Sequence, residues 1–130
     1  MSDKISLEVP ATLSALSTVR MVLGGLGARL DFSLEDLDDL FLATDRLLEA
    51  ALDAEDLEKL TVVVTMSEGS LRVAAGEFRT DELRAQVAVT PGGCIDLCTL
   101  LQRLVDTVSL EEDTDSFTVV MVKRGQGGGA

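Results

Sequence analysis

Polar and apolar residues alternate at the start of the chain. Ile5, Leu7 and Val9 fall on one side, Ser6 and Glu8 on the other. A period of two predicts a strand, and Pro10 ends it. From Leu13 the period lengthens. Leu13, Leu16, Val19, Val22 or Leu23, Leu26 and Leu30 recur every three or four residues. That spacing predicts an amphipathic helix with Thr12 as N-cap. Gly24, Gly25 and Gly27 weaken its end, and Gly27 is the expected left-handed C-cap. Ser33 and Asp36 have the spacing of a capping box, with Asp in place of the usual Glu. They open a second helix that runs to about Leu52 and buries Leu37, Leu40, Phe41, Thr44, Leu47, Leu48 and Ala51.

Leu60 to Met66 is rich in Val and Thr, Glu68-Gly69 is a turn signal, and Leu71, Val73 and Ala75 alternate again. This predicts a β-hairpin. Phe78 to Thr90 is compatible with a short helical piece, an extended Gln86–Val89 or a mobile loop. After Pro91-Gly92-Gly93, a third helical stripe is expected through Ile95, Cys98, Leu101, Leu104, Val105 and Val108. Ser109–Glu111 and Phe117–Lys123 read as a closing hairpin around Glu112–Asp115. The order is β-α-α-β-β-(loop)-α-β-β. Consecutive hairpins require antiparallel pairing, so the expected class is α+β: a two-layer sandwich with helices on one face of a mixed, largely antiparallel sheet. One domain over residues 1–124 is expected, with 125–130 a flexible Gly-rich tail. A 130-residue chain buries roughly two thirds of its unfolded surface, so it folds without disulfide or metal.

Composition then narrows the chemistry. The sequence is 46% hydrophobic, with 11 basic against 23 acidic residues and a net charge of −12. Asp31 to Glu58 carries eleven acids and only Arg46, so ten of the twelve net negative charges lie in 28 residues. This balance argues against nucleic acid and anionic membranes as partners, and for a partner with a basic surface. There is no His, Trp or Tyr, which removes Ser-His-Asp and Cys-His machinery, phosphohistidine relays and His-ligated metal. No stretch approaches the ~20 apolar residues of a membrane span, and the first residues lack a signal-peptide pattern. A cytoplasmic location with reduced thiols is the expectation.

The element order and length over residues 4–124 resemble the ATP-binding domain of the anti-sigma-factor serine kinases, in the histidine-kinase-like (GHKL) ATPase superfamily. The best local matches are Asp39-Leu40-Phe41-Leu42-Ala43-Thr44-Asp45, Leu104-Val105-Asp106-Thr107-Val108 and the closing Val122-Lys123-Arg124. The resemblance implies three nucleotide motifs, and the chain departs from each. A Glu and, four residues on, an Asn of the long helix would act as base and magnesium ligand. In register with Asp45, those positions hold Arg46 and Ala50. A guanidinium only donates, and an alanine offers no oxygen to a hard cation. An Asp-x-Gly-x-Gly turn would contact adenine, but here Ala75-Gly76-Glu77-Phe78-Arg79 offers Glu77 as the nearest acid and lacks the paired glycines. A Gly-x-Gly-Leu turn would meet phosphate at the last helix, and there Ile95 and Leu97 stand at the glycine positions. Gly92 and Gly93 lie just upstream, able to substitute only through a shifted register.

The resemblance therefore implies a regulator that binds a sigma factor, a STAS-type anti-anti-sigma partner, or both, and works as a homodimer. Nucleotide chemistry would be impaired or lost. No cofactor is expected, and weak ATP binding without catalysis stays open. An active Mg-ATP-dependent serine kinase of a STAS protein is one alternative; a small acidic dimeric secretion chaperone is another. Bland readings stand beside the sharper ones. Cys94 and Cys98 suit small buried hydrophobes better than a redox pair or half a metal site. Asp36, Asp38 and Asp39 lack the loop of a calcium site and suit a solvated helix start. Gly24-Gly25-Leu26-Gly27 lacks the Lys and preceding strand of a phosphate loop. Arg46 and Glu49 suit either a pair closing a vacated pocket or a solvated helix pair.

Overall fold

A computed structural model describes residues 3–87 and 97–125. The chain runs β1 (Asp3–Pro10), α1 (Ala15–Arg29), α2 (Leu34–Ala54), β2 (Lys59–Ser67), β3 (Ser70–Phe78), α3 (Asp81–Val87), α4 (Leu97–Leu104), β4 (Thr107–Glu112) and β5 (Phe117–Arg124). The strands form one sheet in the order β1-β2-β3-β5-β4, and every pairing among them is antiparallel. β1 and β4 are the edges. Pro10 sits at the end of edge strand β1, where its missing N–H costs no ladder bond. The α+β two-layer arrangement matches the sequence reading, but the described sheet is wholly antiparallel rather than mixed, because β1, β3 and β4 each run against the neighbours they pair with.

The period-two residues decide which sheet face is buried. Leu60, Val62 and Val64 of β2, Leu71, Val73 and Ala75 of β3, and Val119 and Met121 of β5 are all at most 1% exposed. Registers Val62↔Ala75, Val73↔Met121 and Ala75↔Val119 place them on one face. Against that face pack Val19 and Leu23 of α1, and Leu40, Leu47, Leu48 and Ala51 of α2. Leu83 and Val87 of α3 and Leu101 of α4 complete the layer. Phe78 and Phe117 meet edge to face inside it, 5.8 Å between ring centres. The other sheet face carries Thr61, Val63, Ala74, Thr118 and Val120, and no helix among the described residues covers it.

Local signals hold where the cause is local. Ser33 Oγ accepts from the Asp36 N–H at 3.0 Å and Asp36 Oδ2 accepts from the Ser33 N–H at 3.1 Å, the reciprocal capping box read from the sequence. Three details differ. α1 begins at Ala15 after a turn in which the Ala15 N–H bonds the Thr12 carbonyl, so Thr12 does not cap it and Ser14 makes no side-chain cap. Gly27 is not the left-handed residue: Asp31, at φ 59°, takes that role, with the Phe32 N–H bonding the Gly27 carbonyl. Gly27 instead lets the helices approach, because a Cβ there would fall 2.3 Å from Leu37 Cδ2. Val108 leaves the expected helix for β4, opposite Met121, since the Asp106 N–H already bonds the Val122 carbonyl. The open segment after Phe78 resolves as α3 up to Val87; 88–90 lie outside the described residues, as do Gly92, Gly93, Cys94, Ile95 and 126–130.

Candidate functional site

α2 presents three faces. Leu40, Thr44, Leu47, Leu48 and Ala51 enter the core. Leu37, Phe41 and Asp45 meet α1: Phe41 lies against Gly24, and Asp45 pairs with Arg20, whose guanidinium also stacks 5.4 Å from the Phe41 ring. Arg46 and Ala50 stand one turn apart on the flank away from α1. Arg46 is half exposed and lies 3.6 Å from Glu49, a solvated pair worth a few tenths of a kcal/mol. Ala50 is half-buried and packs on the core. On the same flank Lys123, 6% exposed, donates from Nζ to the Leu104 carbonyl at 2.9 Å and lies 3.5 Å from Asp39 Oδ2. This ties β5 and the end of α4 to α2.

A magnesium nucleotide, which the resemblance implies, does not fit these positions as a donor set. Magnesium is held by hard oxygens, and neither a guanidinium nor a methyl supplies one. Nor does a guanidinium take a proton from an acceptor hydroxyl. Thr44, one turn from Leu40, has a buried Oγ1 with no hydrogen-bond partner among the described residues.

Glu77 lies elsewhere. The register shifts between Ala75 and Phe78, and the irregularity turns Glu77 outward while Phe78 enters the core. Glu77 lines an open cleft of about 630 Å³ at the uncovered sheet face, floored by Val63, Ala74 and Gly76. Lys59, Arg79 and Thr118 also line it, and neither Arg46 nor Ala50 does. The structure thus brings Arg46 and Ala50 onto one helix flank and leaves Glu77 apart. Gly92 and Gly93 are outside the described residues, so their placement stays untold.

One residue of this region was missed in the sequence. Glu55 ends α2 at 8% exposure and reaches across to the turn before α3. Its carboxylate accepts from the Arg79 N–H at 2.9 Å, the Thr80 N–H at 2.6 Å and the Thr80 hydroxyl. Thr80 Oγ1 in turn accepts from the Leu83 N–H, capping α3. Burial alone raises the Glu55 pKa, but the Thr80 hydroxyl and the two N–H donors outweigh it, and the net shift is downward. No local signal announces this pairing, because its partners are 24 and 25 residues away. Arg84 fixes the other end of α3, 4.5 Å above the Phe117 ring and paired with Glu112. The remaining candidates settle as structure: Asp36 is a buried capping group and Cys98 is buried at 2% exposure. Among the described residues no helix is long and apolar enough to cross a membrane.

No protein-family model matches the chain. Individual relatives do. It is 29% identical over 140 aligned positions to the serine-protein kinase RsbW of Listeria monocytogenes (serotype 4a, strain HCC23), covering 95% of this chain and 88% of the relative. It is 23% identical to the serine-protein kinase RsbW of Bacillus cereus (strain B4264), covering 93% and 84%. The fold matches the crystal structure of the RsbU and RsbW domains of a Mycobacterium tuberculosis protein with a TM-score of 0.68 at 18% identity. That match covers 95% of this chain and spans 32%, about a third, of the longer one. In sequence the chain is similar to the RsbW serine-protein kinases, and in fold to the RsbU–RsbW structure.

Proposed function

We propose that the chain is a cytoplasmic partner-switching regulator that has given up phosphoryl transfer. It sequesters a sigma factor and releases it when a STAS-type anti-anti-sigma protein competes for the same regulator. The RsbW likeness supports the regulatory class. The observation that carries the loss of chemistry is the pair Arg46 and Ala50: in the register of the family match, the base and the magnesium ligand are replaced by a solvated cation and a methyl. With no oxygen to hold the cation and no acceptor for the hydroxyl proton, switching in this reading depends on competing surfaces rather than on a phosphate. Ten net negative charges within residues 31–58 give that surface a long-range pull on a basic partner. The sheet face that no described helix covers, with half-buried Val63 and Thr118, is where a second copy would pair in a homodimer.

Calorimetry with Mg-ATP tests the chemical half. No heat up to millimolar nucleotide is expected, and saturable binding with phosphate transfer to a STAS serine would restore the active-kinase reading. Co-purification with the sigma factor and STAS protein encoded nearby tests the partner half. A complex that loosens as salt rises is expected; failure to bind either protein would remove the reading.

A further inference from the structure

The cleft of about 630 Å³ on the outer sheet face has a volume in the ordinary range of small-molecule sites. Sheet register sets its lining residues in rows. Thr61 pairs with Gly76 and Val63 with Ala74, and one face of a strand repeats every second residue. The inner row, Val63 and Ala74, is apolar. The next row holds the Thr61 and Thr118 hydroxyls on either side of Gly76. A Cβ at Gly76 would fall 2.9 Å from Thr118 Oγ1, so the missing side chain is what keeps this row open. Neither hydroxyl has a hydrogen-bond partner among the described residues.

The mouth carries both signs of charge. Glu77 and Arg79 flank Phe78, whose ring is in the core, and both are exposed and line the cleft. Although two residues apart, they make no ion pair with each other or with any other described residue. Arg79 gives its backbone N–H to Glu55, while its guanidinium bonds no described residue. Asp56 is a second exposed acid at the mouth. Lys59 differs, because Glu8 holds its ammonium at 2.9 Å.

A simple anion in this mouth would be repelled by Asp56 and Glu77, and a simple cation by Arg79. A head group with both charges close together answers both sides, and an apolar tail beneath it would cover Val63 and Ala74. A free α-amino acid has this build, with ammonium and carboxylate on one carbon and the side chain leading away from them. We propose that the cleft binds a free α-amino acid with an apolar side chain: its ammonium against Glu77 and Asp56, its carboxylate against Arg79, and its side chain over Val63 and Ala74. This goes beyond the partner-binding reading and does not depend on it.

The test titrates the full chain, labelled for amide NMR, with L-leucine. Three control probes each lack one feature: N-acetyl-leucine the ammonium, leucinamide the carboxylate, and glycine the apolar side chain. Saturable shifts with leucine are expected on Thr61, Gly76, Glu77 and Thr118, and each control should bind more weakly by about fivefold or more. Arg79→Gln and Glu77→Gln change only exposed side chains. Arg79→Gln should weaken leucine about fivefold and bind leucine and leucinamide alike, a loss of selectivity that a merely structural defect would not produce. Glu77→Gln should narrow the preference for leucine over N-acetyl-leucine. Wild type that binds leucine and all three controls equally, shifts centred away from the cleft, or no saturable shift up to about 10 mM leucine would overturn the proposal. Val63 and Thr118 also lie where a second copy would pair, so the same amides are followed against protein concentration without any probe. If dilution moves them and leucine does not, the occupant is a second copy and the proposal falls. Leucine binding by a chain that captures neither a sigma factor nor a STAS protein would leave this inference standing and remove the partner reading.

Discussion

Glu55 is the residue through which the end of α2 controls the start of α3, and its removal is the sharpest test of how the fold is held. In Glu55→Ala, two backbone N–H groups and the Thr80 hydroxyl lose their acceptor at a site that is 8% exposed in the intact protein. A hydrogen bond to a charged group contributes ~1.5–3 kcal/mol net, but two of the three bonds share Thr80 and one carboxylate, so they do not add. The expected cost is ~2–4 kcal/mol for Glu55→Ala and ~1–3 kcal/mol for Glu55→Gln, which keeps one acceptor oxygen but turns its amide N–H₂ toward other donors. Urea unfolding followed by circular dichroism reads both. The pH dependence carries more information. The folded pKa of Glu55 lies below its ordinary value of 4.5: burial pushes it up, and the Thr80 and Arg79 donors more than reverse that. A depressed folded pKa means that the carboxylate adds stability above the unfolded pKa and loses it as pH falls through the folded value. The gap between wild type and Glu55→Gln should therefore be flat above about pH 5 and close progressively below it. A gap that persists unchanged to about pH 3, or a cost of Glu55→Ala under about 0.5 kcal/mol, would refute the clamp.

Three other outcomes follow from single contacts. Thr44→Val removes a 3%-exposed hydroxyl that has no partner among the described residues, so it should raise stability by about 1 kcal/mol; a lower melting temperature would mean the hydroxyl is engaged. Gly25→Ala adds a methyl with nothing within 4 Å inside a helix, and should stabilise by about 0.5–1 kcal/mol in thermal unfolding. Gly76→Ala should do the opposite, by about 1–3 kcal/mol, because its Cβ would sit 2.9 Å from Thr118 Oγ1 and 3.2 Å from both the Phe117 carbonyl and Thr118 Cα, and backbone atoms yield little. The same sign for both glycines would contradict the packing described here.

The contrast between Ser33 and Glu55 shows what the sequence carries. Ser33 and Asp36 are three residues apart, so their reciprocal bonds are written in local spacing and were readable. The same holds for the Leu60–Ala75 hairpin and the buried stripe of α2, where period alone separates core from solvent. Val108 was misplaced because its spacing continues the helical stripe of Leu101 and Leu104, while the competing cause, pairing with Met121, comes from thirteen residues downstream. Gly27 suits a cap by residue type, but the need it answers is steric and set by Leu37 of the next helix. At the candidate site, Arg46 and Ala50 come from the register of the resemblance, and one long helix sets them a turn apart. The placement of Glu77 was not legible, since one irregular step between Ala75 and Phe78 decides which side of the sheet it faces, and no residue type encodes that step unambiguously.

The geometry of α2 bears on how such a protein could keep a partner after losing a reaction. Arg46 and Ala50 occupy the flank away from α1, with Arg46 half exposed beside Glu49, whereas Leu40, Leu47 and Leu48 enter the core. The core stripe through Leu40, Leu47 and Leu48, all 0% exposed, includes neither residue, although Ala50 packs against it and Arg46 pairs with Glu49. The stability of the helix comes from that stripe, from the Ser33–Asp36 box and from the Glu55 clamp, none of which requires a base or a metal ligand at positions 46 and 50. The helix can therefore stand without a base or a metal ligand at positions 46 and 50. In the proposed function, that independence lets phosphoryl transfer lapse while the fold that carries partner binding is kept.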